Sequence, residues 1–192
     1  MRKLVLASTS PYRRELLERL RLPFDIVAPQ ADETALPGET SIELVLRLAE
    51  AKARAVADAY PNAVIIGSDQ VAACEGRILG KPGNHAIAAE QLTFLSGKEV
   101  VFQTGLCVLN TATDDAQTEL VPYTVHFRAL DEATIERYLK REPAYNCAGS
   151  FKSEGYGIVL CQRWEGEDPS ALIGLPLMRL TSMLSQVGFV IP

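Results

Sequence analysis

Cations, carboxylates and glycines occur together at several separate positions in this sequence. We expect five segments of this kind to be loops: Ser8 with Arg13 and Arg14, Asp32 with Glu33, GSDQ at 67–70, GKP at 80–82 and KSEG at 152–155. Phosphoryl chemistry needs this mixture, because cations and backbone N–H groups hold phosphates, whereas carboxylates hold a hard metal ion and position water. The sequence therefore favours a phosphate-bearing ligand.

Asp69 is the candidate for general-base or metal chemistry. It follows a short apolar run at 64–66, which is typical of a buried strand, and a glycine that suggests a turn. A carboxylate directly after a buried strand is well placed for such work. Each residue also has an ordinary alternative: Asp69 could cap a turn, Glu33 could be a solvated loop acid, and Lys81 could be a surface lysine.

Two arginines, Arg13 and Arg14, occupy the opening turn of a predicted helix. Ser10 is a good N-cap and Pro11 suits the first helical position. Cations at a helix N-terminus are unfavourable by ~0.3–1 kcal/mol each. An anion held by the N–H groups, the hydroxyls and the guanidinium groups would offset that cost. In the alternative interpretation, both arginines are solvated and partly balanced by Glu15.

Histidine and cysteine chemistry is not indicated by the sequence. The four cysteines lack CxxC spacing and the two histidines are far apart in the chain: Cys74, Cys107, Cys147, Cys161, His85 and His126. This pattern fits neither a zinc site nor a Ser-His-Asp arrangement. We expect buried thiols in a reducing cytoplasm, a structural role for His126, and an exposed position on its helix for His85.

Bulk composition is that of an ordinary globular protein. The chain has 192 residues, with 47% hydrophobic and 22% charged residues and a formal net charge of −5. The negative charge argues against a nucleic-acid partner or an anionic membrane surface. The apolar run at the N-terminus is too short for a signal peptide, so we expect a cytoplasmic protein without a membrane partner.

The elements that must position these residues alternate between strands and helices. We expect helices at 11–20, 40–60, 84–95, 131–141 and 177–187, and strands at 2–7, 24–29, 64–66, 71–74, 98–109 and 118–127, with a further strand-like run at 157–160 and a loop at 166–176. The helix from Thr40 has a capping box with Glu43 and an apolar stripe that excludes Lys52. This order predicts a mixed α/β (α+β) fold with a central mixed sheet flanked by helices.

The segments that carry these residues resemble the Maf-like nucleotide pyrophosphatases. The matching stretches are LASTSPYRRELL, ADET, LRLAEAKA, IIGSDQV, LGKP, VHFRAL, AGSFKSEGYGI and IGLPL. The resemblance implies one domain over residues 1–192 with an inosine-triphosphatase-like fold, two lobes around a cleft, and often a homodimer. It implies metal-dependent hydrolysis of a nucleoside triphosphate to the monophosphate and pyrophosphate.

Residue roles follow from the resemblance alone. Asp69 would activate water and, with Glu33, hold a divalent Mg²⁺ or Mn²⁺ ion. The expected substrate-binding residues are Ser8, Arg13, Lys52, Lys81 and Lys152, with Arg14 the weaker candidate of the arginine pair.

Three residues indicate a branch of the family. Tyr12, Gln70 and Glu154 resemble the 7-methyl-GTP branch, although that branch often has tryptophan at position 12. The dTTP/UTP branch typically has arginine, threonine and glutamine at these positions, and a lysine where this chain has Cys147, for which Lys152 would substitute. A dTTP/UTP pyrophosphatase and a nucleotide-binding regulator of septum formation are the alternatives. The paired carboxylates favour the enzyme, because without a metal they would repel an anionic ligand.

Overall fold

The computed structural model describes residues 2–191, in which seven strands form one mixed sheet. The strands are β1 (Lys3–Ala7), β2 (Asp25–Val27), β3 (Ala63–Cys74), β4 (Arg77–Leu79), β5 (Glu99–Asn110), β6 (Asp115–Phe127) and β7 (Cys161–Glu165). Their order is β2-β1-β3-β5-β6-β7, with β4 paired to β3. β2 and β3 run parallel to β1, whereas β4 and β7 pair antiparallel with β3 and β6. The mixed α/β class predicted from the sequence is confirmed.

The first four helices begin where the sequence places their caps. The helices are α1 (Pro11–Glu18), α2 (Ser41–Arg54), α3 (His85–Leu95), α4 (Glu132–Arg141), α5 (Pro169–Ile173) and α6 (Leu177–Gln186). Ser10, Asn84 and Asp131 accept backbone hydrogen bonds as N-caps, and Thr40 forms the predicted capping box with Glu43. Among residues 2–191, none of the helices is long and apolar enough to cross a membrane.

The expected loop at 67–70 is instead the middle of a strand. β3 continues without interruption from Ala63 to Cys74. A Cβ atom on Gly67 would lie 2.0 Å from the carbonyl oxygen of Ala49 in α2. The glycine therefore does not make a turn, but lets the strand pass directly beside the helix backbone.

Two further expectations near the C-terminus are wrong. Residues 169–173, expected to be a loop, form α5, because Asp168 accepts a hydrogen bond from the Ser170 amide at 2.9 Å and Pro169 occupies the first turn. The strand-like run at 157–160 lies in the 3₁₀ segment Tyr156–Leu160. Its β-branched residues suggested a strand, but the Gly157 amide donates to the Lys152 carbonyl at 3.1 Å and turns the chain back on itself.

The chain divides into two compact units. Unit 1 comprises the described residues up to Asp69, Thr104–Val121, and those from Asp168 onward. In its core, β1 is buried on both faces: Leu4 and Leu6 pack with residues of α1 and α6, whereas Val5 and Ala7 pack with residues of α2. This is the burial expected of a parallel strand covered by helices on both sides.

Unit 2 comprises Gln70–Gln103 and Pro122–Glu167. Its core is built around Phe151, whose ring centroid lies 5.6 Å from that of Phe102, 5.3 Å from that of Phe127 and 6.3 Å from that of Trp164. Helices α3 and α4 belong to this unit. The cleft and the single domain over residues 1–192 stay predictions.

Candidate active site

The turn before α1 is held by its own hydroxyl groups. Ser8 is buried, and its Oγ accepts a hydrogen bond from the Ser10 amide at 3.1 Å. Ser10 Oγ accepts in turn from the Arg13 amide at 3.4 Å. The predicted start of the helix is therefore confirmed, and these serine contacts fix its first turn.

The two arginines of this turn have different environments. Arg13 Nε donates to the carbonyl oxygen of Gly174 at 2.8 Å, whereas Arg14 forms an exposed ion pair with Glu18, four residues along the same helix. Removal from water lowers the pKa of Arg13, and the carboxylates of Asp69 and Glu33 act in the opposite direction. Arg14 is thus a surface residue, and Arg13 is the half-buried cation of the pair.

The carbonyl that holds Arg13 belongs to a rigid corner at the end of α5. Ser68 Oγ lies 3.0 Å from the same Gly174 oxygen, and Gly174 has a φ of +116°. Thr104 Oγ1 donates to the carbonyl of Ala171, also in α5, at 3.0 Å. Side chains of β3 and β5 therefore fix the short helix that orients Arg13.

Lys52 lies at the centre of a charged cluster. Its Nζ is 2.6 Å from Asp69 Oδ1 and 3.1 Å from Glu33 Oε2. Lys52 and Asp69 are only 5% and 7% exposed. The expectation that Lys52 lies off the buried stripe of α2 is wrong, because the two carboxylates satisfy its ammonium group between the buried Ala49 and Ala53.

The loop that carries Glu33 is braced by an arginine of α2. Arg47 Nε and Nη2 contact the two carboxylate oxygens of Glu39 at 2.5 and 2.8 Å, and Nη2 also donates to the Thr34 carbonyl at 3.1 Å. The hydrogen bonds from Arg47 lower the pKa of Glu39 to about 2. A bidentate ion pair thus holds the acidic loop beside α2.

The remaining predicted residues of unit 2 lie in two segments. Lys81 is exposed in the loop after β4. Lys152 Nζ pairs with Glu142 Oε1 at 3.0 Å, and the Lys152 amide donates to the Tyr138 hydroxyl at 3.1 Å. Glu154 is exposed, and the Ser153 hydroxyl contacts its Oε2 at 3.3 Å. The ammonium of Lys152, expected to replace a missing lysine, thus has a carboxylate partner within the protein.

Three of the four cysteines are buried, and both histidines contact other side chains of the protein. Within residues 2–191 no disulfide joins the cysteines, and burial raises the pKa of Cys107 to about 11, so it is a protonated, inert thiol. His85 bridges Glu136 and Tyr145, and His126 contacts Glu165. The His85 side chain, expected to be exposed on its helix, is 44% exposed, and the structural role of His126 stays a prediction.

The sequence match decides the family. A model of the family described as Maf-like protein matches residues 3–187. The chain belongs to this family. It is 57% identical over 186 residues to a 7-methyl-GTP pyrophosphatase of Nitrosococcus oceani, covering 97% of this chain and 94% of that protein. It is 55% and 54% identical, over the full length of both chains, to proteins of the same name from Pseudomonas syringae pv. tomato and Pseudomonas aeruginosa.

The donor set of this Maf-like chain is compatible with a hard divalent cation. Glu33 and Asp69 already converge on one positive charge, the Lys52 ammonium, and both offer carboxylate oxygens. Mg²⁺ is commonly bound by one or two carboxylates together with phosphate oxygens and water. Within residues 2–191, no group of three or more His, Cys, Asp or Glu side chains could hold a metal ion. A metal at this pair would therefore need ligands from substrate and water.

The structure brings some of the predicted residues of this Maf-like chain together and leaves others in separate segments. Glu33, Lys52 and Asp69 are in direct contact, and Arg13 interacts electrostatically with both carboxylates. The other predicted residues are placed on the elements already described: Ser8 before α1, Tyr12 in α1, Gln70 in β3, Lys81 after β4, and Lys152 with Glu154 before β7. A common role for all of them stays a prediction.

Three supporting residues of the Maf-like site were missed by sequence reasoning. Arg47, Ser68 and Gly174 orient Glu33 and Arg13 through contacts between distant parts of the chain. Each lies in a stretch that carries the family resemblance, namely LRLAEAKA, IIGSDQV and IGLPL. Their position in these stretches is the sequence signal that could have identified them, but it does not show which atoms are in contact.

Proposed function

We propose that this Maf-like chain hydrolyses 7-methyl-GTP to 7-methyl-GMP and pyrophosphate, and so removes a modified nucleotide from the pool. The observation that carries the proposal is the convergence of Glu33 and Asp69 on Lys52, with both carboxylates acting on Arg13. Phosphoryl transfer relies on such fixed charges of both signs. The choice of nucleotide is supported by relatives at 54–57% identity that are named 7-methyl-GTP pyrophosphatase.

Asp69 is the proposed general base. It accepts a proton from the attacking water, the water oxygen bonds to phosphorus, and the bond between the α- and β-phosphates breaks. Pyrophosphate leaves with the electrons of the broken P–O bond. The contact of Lys52 with Asp69 Oδ1 supports this role, because it fixes the carboxylate on a buried strand.

Four basic residues and one serine are the proposed phosphate ligands. Arg13 is supported most strongly, because Gly174 and Ser68 already fix its orientation at the start of α1. Lys52, Lys81 and Lys152 are further ligands, and Ser8 contributes from the turn before the helix. Lys52 also holds the two carboxylates, so substituting it would remove a phosphate ligand and also leave both carboxylates without their shared cation.

Glu33 and Asp69 are the proposed ligands of a Mg²⁺ or Mn²⁺ ion. Such an ion, when bound, neutralises charge that develops on the phosphates. The carboxylate of Glu33 supports this assignment, because it is 60% exposed and so remains accessible to an ion from solution. Titration of Mn²⁺ into the wild type and Glu33→Gln, in the absence of nucleotide, tests it: weaker binding in the variant is expected, and equal binding would remove Glu33 from the metal site.

Base choice is assigned to Tyr12, Gln70 and Glu154. Guanine presents two donors, its ring N–H and its amino group, on one edge, and a carboxylate such as Glu154 accepts both. Methylation at the seventh position makes the ring cationic. Stacking on Tyr12 would then add ~0.5–2 kcal/mol through cation–π attraction. The preference for the methylated base is therefore expected to be clear but not absolute.

One assay tests the proposed function. The purified protein is incubated with 7-methyl-GTP, GTP, dTTP and UTP, with Mg²⁺, with Mn²⁺, and with chelator, and the products are identified. We expect 7-methyl-GMP and pyrophosphate, formed fastest from 7-methyl-GTP and lost with chelator. Faster turnover of dTTP or UTP would indicate the other branch, orthophosphate as the first product would contradict the reaction, and binding without turnover would indicate a regulator.

The proposed compartment follows from the proposed substrate, and the proposed assembly follows from the family resemblance. A nucleotide-pool enzyme is expected in the cytoplasm, and we propose a homodimer on the basis of the family resemblance. Light scattering during size-exclusion chromatography measures the assembly directly. A single species with the mass of one chain would overturn the dimer.

A further inference from the structure

Two segments of unit 2 that carry proposed substrate-binding residues meet at one side chain of α3. Gln91 Nε2 donates at 3.2 Å to the carbonyl oxygen of Gly80, the residue directly before Lys81. Ser150, two residues before Lys152, has its Oγ 2.6 Å from Gln91 Oε1. One amide group therefore links the two segments.

The orientation of the Gln91 amide follows from its partners. A backbone carbonyl can only accept a hydrogen bond, so the nitrogen of the amide must face Gly80. The oxygen is then left for Ser150, whose hydroxyl can donate to it. Both the nitrogen and the oxygen of the amide therefore have a hydrogen-bond partner. An apolar side chain of the same shape would make neither hydrogen bond.

Ser150 has a backbone conformation that needs support. Its φ is +57°, in the left-handed region that non-glycine residues rarely adopt, and its side chain is fully buried. Gly149 precedes it with a φ of +63°, and the Gly149 amide donates to the same Gly80 carbonyl at 3.3 Å. Gly80 thus accepts from both Gly149 and Gln91 at the point where the two segments cross.

We propose that Gln91 is a positioning residue that fixes Lys81 relative to Lys152 and Glu154. It does not touch substrate. It holds the Gly80 carbonyl on one side and the strained Ser150 on the other, so that the phosphate-binding and base-reading residues keep one spacing. The roles of these three residues rest on the proposed function, whereas the contacts of Gln91 do not.

The test uses substitutions of Gln91 and a matched control on the same helix. Gln91→Met keeps the length of the side chain but neither hydrogen bond, and Gln91→Glu keeps an acceptor for Ser150 but no donor for Gly80. Thr93→Val is the control, because the hydroxyl of the exposed Thr93 donates to the carbonyl of Ala89 in its own helix. For each variant, kcat and KM are measured on 7-methyl-GTP and GTP, and amide hydrogen exchange is measured at Gly83 and Gly149.

Different results are expected for each substitution. Gln91→Met raises KM for 7-methyl-GTP about tenfold with a smaller change in kcat, narrows the ratio between 7-methyl-GTP and GTP, and speeds exchange at Gly149 about tenfold. Gln91→Glu raises KM for both nucleotides but keeps their ratio, because only the Lys81 side is released. Thr93→Val behaves as the wild type.

Wild-type kinetics in a folded Gln91→Met protein would overturn the proposal. If Gln91→Met does not fold, Gln91→Glu with unchanged KM overturns it in the same way. Failure of the proposed function is distinguishable, because it would leave the wild type without turnover. Hydrogen exchange then decides: unchanged protection of Gly149 in both Gln91 variants would show that Gln91 does not hold these segments.

Discussion

The buried ion pair of Lys52 and Asp69 in unit 1 contrasts with two exposed charged candidates of unit 2, Lys81 and Glu154. Lys52 and Asp69 are 5% and 7% exposed and lie on a helix and a strand. Lys81 and Glu154 are exposed and lie between elements. Under the proposed function, the buried pair serves bond cleavage and the exposed residues serve recognition of the nucleotide.

Physical chemistry favours this separation. A buried charge is costly unless a partner is held at a fixed place, so Lys52 and Asp69 need the rigidity of α2 and β3. Loops vary without disturbing a core and commonly carry specificity. Gln91 is the exception that limits this freedom in unit 2, because it links both of the segments concerned.

The largest expected effect tests the rigid cluster. Asp69→Asn should lower kcat on 7-methyl-GTP by about 10²–10⁴-fold, because an amide cannot accept the proton of water and binds metal poorly. The circular dichroism spectrum should be that of the wild type. Near-normal turnover in the variant would remove Asp69 from the reaction and with it the contrast between the units.

A smaller effect is expected at the arginine pair. Arg13→Ala should weaken binding of the triphosphate about ten- to a hundredfold, because a hydrogen bond to a charged group contributes ~1.5–3 kcal/mol. Binding of the bare nucleoside should change little. Calorimetric titration of both ligands measures the difference.

Arg14→Ala is the matched control for that experiment. Its side chain pairs with Glu18 on an exposed face of the same helix, so triphosphate affinity should stay within about twofold of the wild type. Equal losses in both variants would mean that the half-buried position of Arg13 has no special role.

Glu154→Gln tests recognition by unit 2. The amide loses one acceptor for the guanine edge, so kcat/KM for 7-methyl-GTP should fall about tenfold, and the values for dTTP and UTP should fall less. The measurement is kcat/KM on all three nucleotides. An equal decrease on each would show that Glu154 does not read the base.

The smallest effect concerns the brace of the Glu33 loop. The pKa of Glu39 is lowered from its usual 4.5 to about 2, so this group stabilises the folded state fully above about pH 4.5 and loses that contribution as the pH falls toward 2. Arg47→Lys should unfold at lower urea than the wild type at neutral pH. This difference should shrink over the same pH range, and a constant difference would show that the ion pair does not cause it.

Local sequence signals determined where the elements begin and which segments carry function. Ser10, Thr40, Asn84 and Asp131 predicted the helix starts, because a cap is read from a residue and its near neighbours. The family resemblance also identifies Asp69 and Glu33 as candidates without showing that both contact Lys52. Neither signal depends on how distant parts of the chain pack.

Only the tertiary structure decided how the site is held. Position 67 is a glycine because its strand passes directly beside the Ala49 carbonyl of α2 and leaves no room for a Cβ atom. Lys52 can be buried because two carboxylates contact its ammonium group. The carbonyl of Gly174 reaches Arg13 across more than half of the chain. Such contacts join residues far apart in sequence, and their distances are fixed by packing, which no local pattern of residue types records.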